Sequence, residues 1–129
     1  MKKTIFWILG IGVILFCVVM ISTFSKIHRQ VDRITTVATN EYQLNAIASL
    51  TALIKSENHG FEEKNSAIWA LGQFADLEAL PFLEQLNSQT DGEKPCYRKN
   101  GLCKYEIEKA IKWCTQGNLT SWMYRNIEK

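Results

Sequence analysis

The chain has 129 residues, 47% of them hydrophobic, and its 15 basic and 13 acidic side chains leave a net charge of +2. This length accommodates one compact domain rather than two. Because the hydrophobic residues concentrate in one N-terminal stretch and the remainder has the composition of an ordinary soluble domain, the sequence excludes a fibrous repeat, a disordered tail and a multispan transporter.

The uncharged segment Thr4–Ser25 is predicted to be a membrane-spanning helix. About 20 apolar residues at about 1.5 Å each cross a hydrocarbon core about 30 Å thick. Lipid offers no partner for unpaired backbone groups, so the segment has to be helical. A buried core helix is the first alternative, but so short a chain cannot surround such a helix on all sides.

A cleavable signal peptide is the second alternative, because Lys2 and Lys3 precede the apolar run. No A-x-A-like cleavage pair follows the run, and bulky Phe16 directly before Cys17 disfavours lipoprotein processing. We therefore expect residues 1–25 to form an uncleaved anchor. The basic residues that flank the span are nearly balanced, but the very short N-terminal tail resembles a signal anchor, which places the following domain on the outer (periplasmic or extracellular) face.

Residues 26–40 form a predicted juxtamembrane connector. Ile27, Val31 and Ile34 are spaced as on a short amphipathic helix, and residues 35–40 are predicted to break that helix. Residues 41–129 then make up the predicted folded domain.

Two stretches of this domain, Leu44–Leu53 and Leu77–Leu86, superimpose at an offset of 33 residues. The apolar positions Leu44, Ala46, Ile47, Leu50 and Leu53 coincide with Leu77, Ala79, Leu80, Leu83 and Leu86. Each set forms one helical stripe, and a period of this size is typical of helical-hairpin solenoids.

A further helix is predicted between these stretches, over Glu62–Phe74. Asp76 follows it after a short break and can cap the helix that begins at Leu77 by accepting hydrogen bonds from free backbone N–H groups. Pro81 lies about one turn into that helix, early enough to be tolerated.

The segment Asn65–Leu86 resembles the short HEAT-like repeat that is also found in phycocyanobilin lyases. Three elements match: Ala70-Leu71-Gly72 at the end of the first helix, the acidic turn residue Asp76, and Glu78-Ala79-Leu80-Pro81. The signature residues are Ala67, Trp69, Leu71, Gly72, Asp76, Ala79, Pro81 and Leu83. The resemblance implies an all-α fold, a short α-solenoid of HEAT-like hairpins after a single N-terminal transmembrane helix, whose exposed face contacts another macromolecule.

Two further hairpins are incomplete. Leu44–Leu53 resembles the second helix of a preceding, degenerate repeat, and Tyr105–Ile127 would be a third repeat with Leu119–Ile127 as its second helix. Residues 115–118 replace the family's Leu-Gly-x-x-Asp pattern there. Because about three hairpins are normally needed for a stable stack, we expect an additional staple or a partner.

The cysteines supply a candidate staple. A helix is predicted from Leu102 to about Cys114, so Cys103 and Cys114 would lie about 16 Å apart and could not pair. Cys96, in a turn-rich loop, can reach Cys103, and a Cys96–Cys103 disulfide is the favoured pairing, with Cys96–Cys114 the alternative. In the favoured arrangement Cys114 is a buried thiol, on the helix face that also contains Cys103, Ile107 and Ala110.

No pattern for metal, cofactor or small-molecule chemistry is present. The spacing C-x6-C-x10-C lacks a nearby histidine, and C-x-x-C, G-x-S-x-G, Gly-rich phosphate loops and H-E-x-x-H are absent from the sequence. We therefore expect no catalytic residue, cofactor or metal.

Charge is unevenly divided within the domain. Residues 41–92 contain two basic and eight acidic side chains, a net charge of −6, whereas residues 93–129 contain eight basic and four acidic ones, a net charge of +4. This distribution disfavours nucleic acid binding and suggests complementarity between copies or with a polar protein, although solvated helix surfaces would show it as well. The sequence thus predicts a non-catalytic, membrane-tethered module that docks a protein partner. The alternative is an accessory or modifying enzyme acting through an exposed thiol, lyase-like or redox.

Overall fold

A computed structural model of the chain describes residues 2–91, 96–97 and 100–124, with side chains from Trp7 onward. The described residues are helical and contain no strand, which confirms the predicted all-α class. The helices are α1 (Lys2–Tyr42), α2 (Ala46–Lys55), α3 (Phe61–Phe74), α4 (Leu80–Gln89) and α5 (Lys104–Gln116), with 3-10 turns at Leu77–Ala79 and Ser121–Met123.

The chain divides into two compact units, Met1–Gln30 and Val31–Lys129. In the first unit, every side chain from Trp7 to Val19 is exposed. Within the described residues, α1 is the one helix long and apolar enough to cross a membrane. The first unit is therefore a long apolar helix that buries none of this surface within the chain.

The helix break predicted for residues 35–40 is wrong, because α1 continues to Tyr42. Val31, Ile34 and Ala38 are at most 4% exposed, so this part of α1 belongs to the core of the second unit. Packing of an apolar stripe outweighs the low helix propensity of the threonines around it. The predicted connector is thus partly core, and the second compact unit begins before the predicted domain boundary at residue 41.

The predicted stripes of α2 and α4 form the core only in part. Leu50, Leu53 and Leu83 are fully buried, as the periodicity predicts. Leu44 and Leu77, which open the two stripes in the sequence, are instead 53% and 65% exposed. Both leucines precede the α-helix that the pattern assigned them to, so they lie in turns rather than on a buried face.

Helices α3 and α5 pack side by side and run in the same direction. Near the start of α3, the side chain of Asn65 is bonded to the backbone of Cys103, which directly precedes α5. Near the end of α3, the carbonyl of Gly72 accepts a hydrogen bond from Asn118, just beyond the end of α5. The start of α3 therefore lies beside the start of α5 and the end of α3 beside the end of α5, so the two helices are parallel.

Gly72 sets how closely these helices approach. A Cβ atom added at Gly72 would lie 2.9 Å from the Cα of Ala110 and 2.9 Å from Cε3 of Trp113. Real Cβ atoms do not approach backbone atoms so closely, so only glycine fits at this contact.

Local signals at the start of α4 act as predicted. The Asp76 carboxylate accepts a hydrogen bond from the Glu78 backbone N–H at 2.9 Å, and Pro81 occupies the first turn of α4. The second helix predicted for Leu119–Ile127 is wrong for residues 119–124, which form turns and one 3-10 turn. The rest of that predicted helix lies outside the described residues.

Candidate functional site

The disulfide lies at the N-terminal end of the α3–α5 pair. Cys96 and Cys103 are bonded to each other, with their Cα atoms 5.4 Å apart, and Cys114 is a free, buried thiol. The favoured pairing is therefore the one present, and the alternative Cys96–Cys114 pairing is wrong.

Asn65 fixes the end of the disulfide loop to α3. Its side chain is fully buried, its Nδ2 donates to the Gly101 carbonyl at 2.8 Å, and its Oδ1 accepts from the Cys103 backbone N–H at 2.8 Å. The amide thus pairs with both polar groups of a segment that would otherwise be buried without partners. Sequence reasoning missed this residue, and its polar character within an apolar stripe was the only signal.

Cys114 lies in the core between α3 and α5. Its thiol is 3.9 Å from the Leu71 carbonyl oxygen. Burial, and secondarily the negative charge of Asp76, raises the pKa of Cys114 to about 11. A thiol with so high a pKa is protonated at neutral pH and is a poor nucleophile.

The C-terminal end of the α3–α5 pair is closed by noncovalent contacts. The Thr120 hydroxyl is hydrogen-bonded to the Gln73 side chain, and the Phe74 and Tyr124 rings pack edge to face with centroids 5.2 Å apart. Burial, and secondarily the charge of Asp32, raises the pKa of Tyr124 to about 12. This end therefore depends on packing and neutral polar contacts.

Three helices end at a residue with positive φ. Gln43, Ala75 and Gly117 have φ values of 53°, 52° and 75°, and their N–H groups close α1, α3 and α5 by bonding to the carbonyl four residues before. A residue with positive φ bonded in this way is a common helix C-cap. The three ends thus share the closing hydrogen bond, whereas the backbone differs beyond it: ψ is 41° at Ala75, in the left-handed helical region, and 169° at Gly117.

The corner that follows each of these helix ends contains an Asx cap and an exposed leucine. Asp76 and Asn118 accept hydrogen bonds from the backbone N–H two residues later, at 2.9 and 2.7 Å. Asn45 accepts from Ala48, three residues later. The exposed leucines are Leu44, Leu77 and Leu119. Residues 117–118, which depart from the family pattern in sequence, therefore form the same closing bond and Asx turn as Ala75 and Asp76.

The corners after α3 and α5 expose three apolar side chains, Leu77, Leu119 and Trp122, which we call the corner patch. These side chains are 65%, 73% and 61% exposed. Because α3 and α5 are parallel and bonded to each other at this end, the two corners lie side by side. Nothing in the sequence pattern marked these residues, since Leu77 was assigned to a buried stripe.

The predicted signature residues have mostly structural roles. Ala67, Leu71, Ala79 and Leu83 are at most 1% exposed. Trp69 is half-buried and Pro81 is exposed. Together with the Gly72 contact and the Asp76 cap, these residues build the core and the corner rather than a chemical site.

His59 joins two helices at a separate place. Its Nε2 lies 2.9 Å from a carboxylate oxygen of Glu41, in the last turn of α1, and its Nδ1 lies 3.0 Å from one of Glu63, in the first turn of α3. The two ring nitrogens point to different carboxylates, so the three side chains do not converge on a common point. Across the described part of the chain, no group of three or more histidine, cysteine or acidic side chains is arranged to hold a metal ion.

Comparison with protein-family models, with curated proteins and with solved structures finds no match to this chain.

Proposed function

We propose that the chain is a non-catalytic, membrane-tethered helical repeat module that docks a protein partner close to the bilayer. The observation that supports this function best is the parallel packing of α3 and α5, each of which is followed by an Asx turn and an exposed leucine. Successive units related in this way are typical of stacked helical repeats, which use their exposed edges and faces to bind macromolecules. The resemblance of residues 65–86 to a HEAT-like repeat agrees with that arrangement.

The state of the cysteines favours docking over thiol chemistry. Cys96 and Cys103 are bonded to each other, and Cys114 is 4% exposed with a pKa raised to about 11. Cys17 is exposed but lies in the apolar stretch of α1. A thiol enzyme would use an accessible cysteine with a lowered pKa, beside a cation or a helix N-terminus.

The proposed location is a single-pass membrane protein with its helical domain on the outer face. The long apolar helix is suited to span the bilayer, and the disulfide is of the kind that persists in oxidising compartments. Protease added to intact cells is expected to remove the helical domain, whereas a domain on the inner face would be protected until the cells are lysed.

The docking function is tested by chemical cross-linking in intact membranes, followed by affinity capture of the tagged full chain and mass spectrometry. A tagged version that ends at Gln30 serves as the matched control, since it retains the apolar helix and lacks the second unit. We expect at least one protein to be captured by the full chain and not by the control. Recovery of the same proteins with both versions would argue against a docking role for the domain.

The thiol alternative is tested separately by alkylating the native, non-reduced chain at neutral pH. We expect Cys114 to remain unmodified until the chain is unfolded. Rapid modification of Cys114 in the folded chain would favour the thiol enzyme instead.

A further inference from the structure

The close spacing of α3 and α5 suits the binding of a partner helix across their C-terminal ends. Leu77 and Leu119 follow two parallel helices in direct contact, and the axes of such helices lie about 8–10 Å apart. Residues seven positions apart on an amphipathic helix are about 10 Å apart along its axis. One apolar stripe of a partner helix is therefore long enough to reach both corners, and Trp122 adds a large exposed side chain to the corner after α5.

The charges at the two corners have one sign. Residues 75–79 and 117–124 contain two charged side chains, Asp76 and Glu78, and both are exposed. Both lie in the corner after α3, whereas residues 117–124 of the corner after α5 contain no charged side chain. A bound segment would therefore meet negative charge beside Leu77 and uncharged side chains from residues 117–124.

From this combination we infer that the corner patch binds a basic amphipathic helix of a partner protein, with apolar residues about two turns apart and lysine or arginine beside them. The inference rests on the proposed docking function and assigns it a surface and a partner class. The leucines and Trp122 supply the buried contact, while Asp76 and Glu78 select for positive charge and speed association.

Charge also decides against two other occupants. In a symmetric pairing of two copies through this patch, Asp76 and Glu78 of one chain would enter the same interface as those of the other, which is repulsive. An anionic membrane surface would likewise repel them.

The test uses the full chain in its native membrane, with a photoreactive phenylalanine derivative placed singly at Leu77, Leu119 or Trp122. Matched control positions are Phe61 and Tyr105, which are 42% and 52% exposed at the opposite ends of α3 and α5. Mass spectrometry then identifies the cross-linked segment. We expect cross-links from the three patch positions to one segment that is amphipathic and net positive.

The contribution of the patch to binding is measured from the cross-linking yield of double variants that carry the photoreactive residue at position 122. The double variant Leu77→Ser with Leu119→Ser is expected to lower the cross-linking yield at least tenfold, and the control double Phe61→Ser with Tyr105→Ser less than twofold. Asp76→Asn with Glu78→Gln is expected to lower it about threefold at low salt, with a smaller loss at high salt.

The other outcomes overturn the inference in distinguishable ways. Cross-links from the patch to lipid, to a second copy of the chain, or to an acidic or uncharged segment would assign the patch to a different occupant. Protein cross-links from Phe61 or Tyr105 alone would support the docking function but place the partner on a different surface. Absence of protein cross-links from all five positions, together with failure of the capture experiment, would remove the docking function itself.

Discussion

The two ends of the α3–α5 pair are held together by different physical means. At the N-terminal end, the disulfide closes the loop before α5, and the buried Asn65 amide joins the end of that loop to α3. At the C-terminal end, the close contact at Gly72 and neutral hydrogen bonds from residues 118–120 serve instead. The N-terminal end therefore depends on the redox state of Cys96 and Cys103, whereas the C-terminal end depends on close packing and neutral hydrogen bonds.

This difference matters because the corner patch lies at the end without a covalent bond. Reduction of the disulfide is expected to loosen the loop before α5 and to leave the corners in place. Docking is thus assigned to the C-terminal end alone, and a loss of stability caused at the N-terminal end should leave docking in place. For each of the following predictions, unfolding of the full chain in detergent by urea, followed by tryptophan fluorescence, is the measurement of stability.

Among changes at the two ends of the helix pair, the largest loss is expected for Asn65→Ala, at about 3 kcal/mol of unfolding free energy. The substitution removes two hydrogen bonds and leaves the Gly101 carbonyl and the Cys103 N–H without their partner. Ser66→Ala is the matched control, because the Ser66 hydroxyl bonds only within its own helix turn, to the Glu62 carbonyl. An equal loss in both variants would show that the amide has no special role.

Removal of the disulfide is expected to cost about 2–3 kcal/mol, the entropy of closing a short loop in the unfolded chain. The double variant Cys96→Ser with Cys103→Ser avoids leaving a free thiol at either position. A reductant should destabilise the natural chain to the same extent and leave the double variant unchanged. Loss of patch cross-linking upon reduction would contradict the separation of the two ends.

Alkaline pH is expected to destabilise the C-terminal end by about 2 kcal/mol. Because the pKa of Cys114 is raised from 9.0 to about 11, the folded chain keeps a proton that the unfolded chain has lost. The free energy of unfolding is therefore fully retained below pH 9 and falls as the pH rises to about 11. Cys114→Ala should flatten this part of the pH profile, while Tyr124 still contributes between pH 10 and about 12.

Gly72→Ala is expected to cost about 1.5 kcal/mol, although alanine favours helices over glycine by about 1 kcal/mol. The added Cβ would press on the backbone of Ala110, which cannot rotate away. Gly101→Ala is the control, since its added Cβ meets no atom within 4 Å. If Gly72→Ala instead stabilised the chain, α3 and α5 would have to be able to move apart at this contact at little cost.

The smallest effect is expected for Leu77→Ser with Leu119→Ser, within about 0.5 kcal/mol, because both side chains are exposed. Leu83→Ala, at a fully buried leucine, should cost about 2–5 kcal/mol. A marked loss of stability in the serine variant would mean that the patch is part of the core and not a surface for a partner.

The sequence predicted what depends on nearby residues. Apolar periodicity located α2 to α5, the position of Asp76 predicted its cap, and helix length decided which cysteines could pair. The role of Asn65 could not be predicted, because its partners lie 36 and 38 residues further along the chain. Residues 35–40 remained helical because Ala38 is buried, which is a tertiary effect.

The candidate site was harder to predict than the fold. Leu77 continues the spacing of a buried stripe, and only the position of the turn moves it to the surface. Whether an apolar residue lies just inside or just outside a helix end changes its environment completely. A pattern of residue types does not locate that end to within one residue.

The helix ends have a consequence for which substitutions the chain tolerates. Positive φ costs residues other than glycine about 1–2 kcal/mol, yet Gln43 and Ala75 adopt it as well as Gly117. At Gln43 and Ala75 the surrounding structure therefore offsets this cost. Gly117 differs, because its φ of 75° and ψ of 169° lie in a region that is essentially restricted to glycine. Substitutions at the ends of α1 and α3 are therefore expected to be tolerated better than a substitution at Gly117.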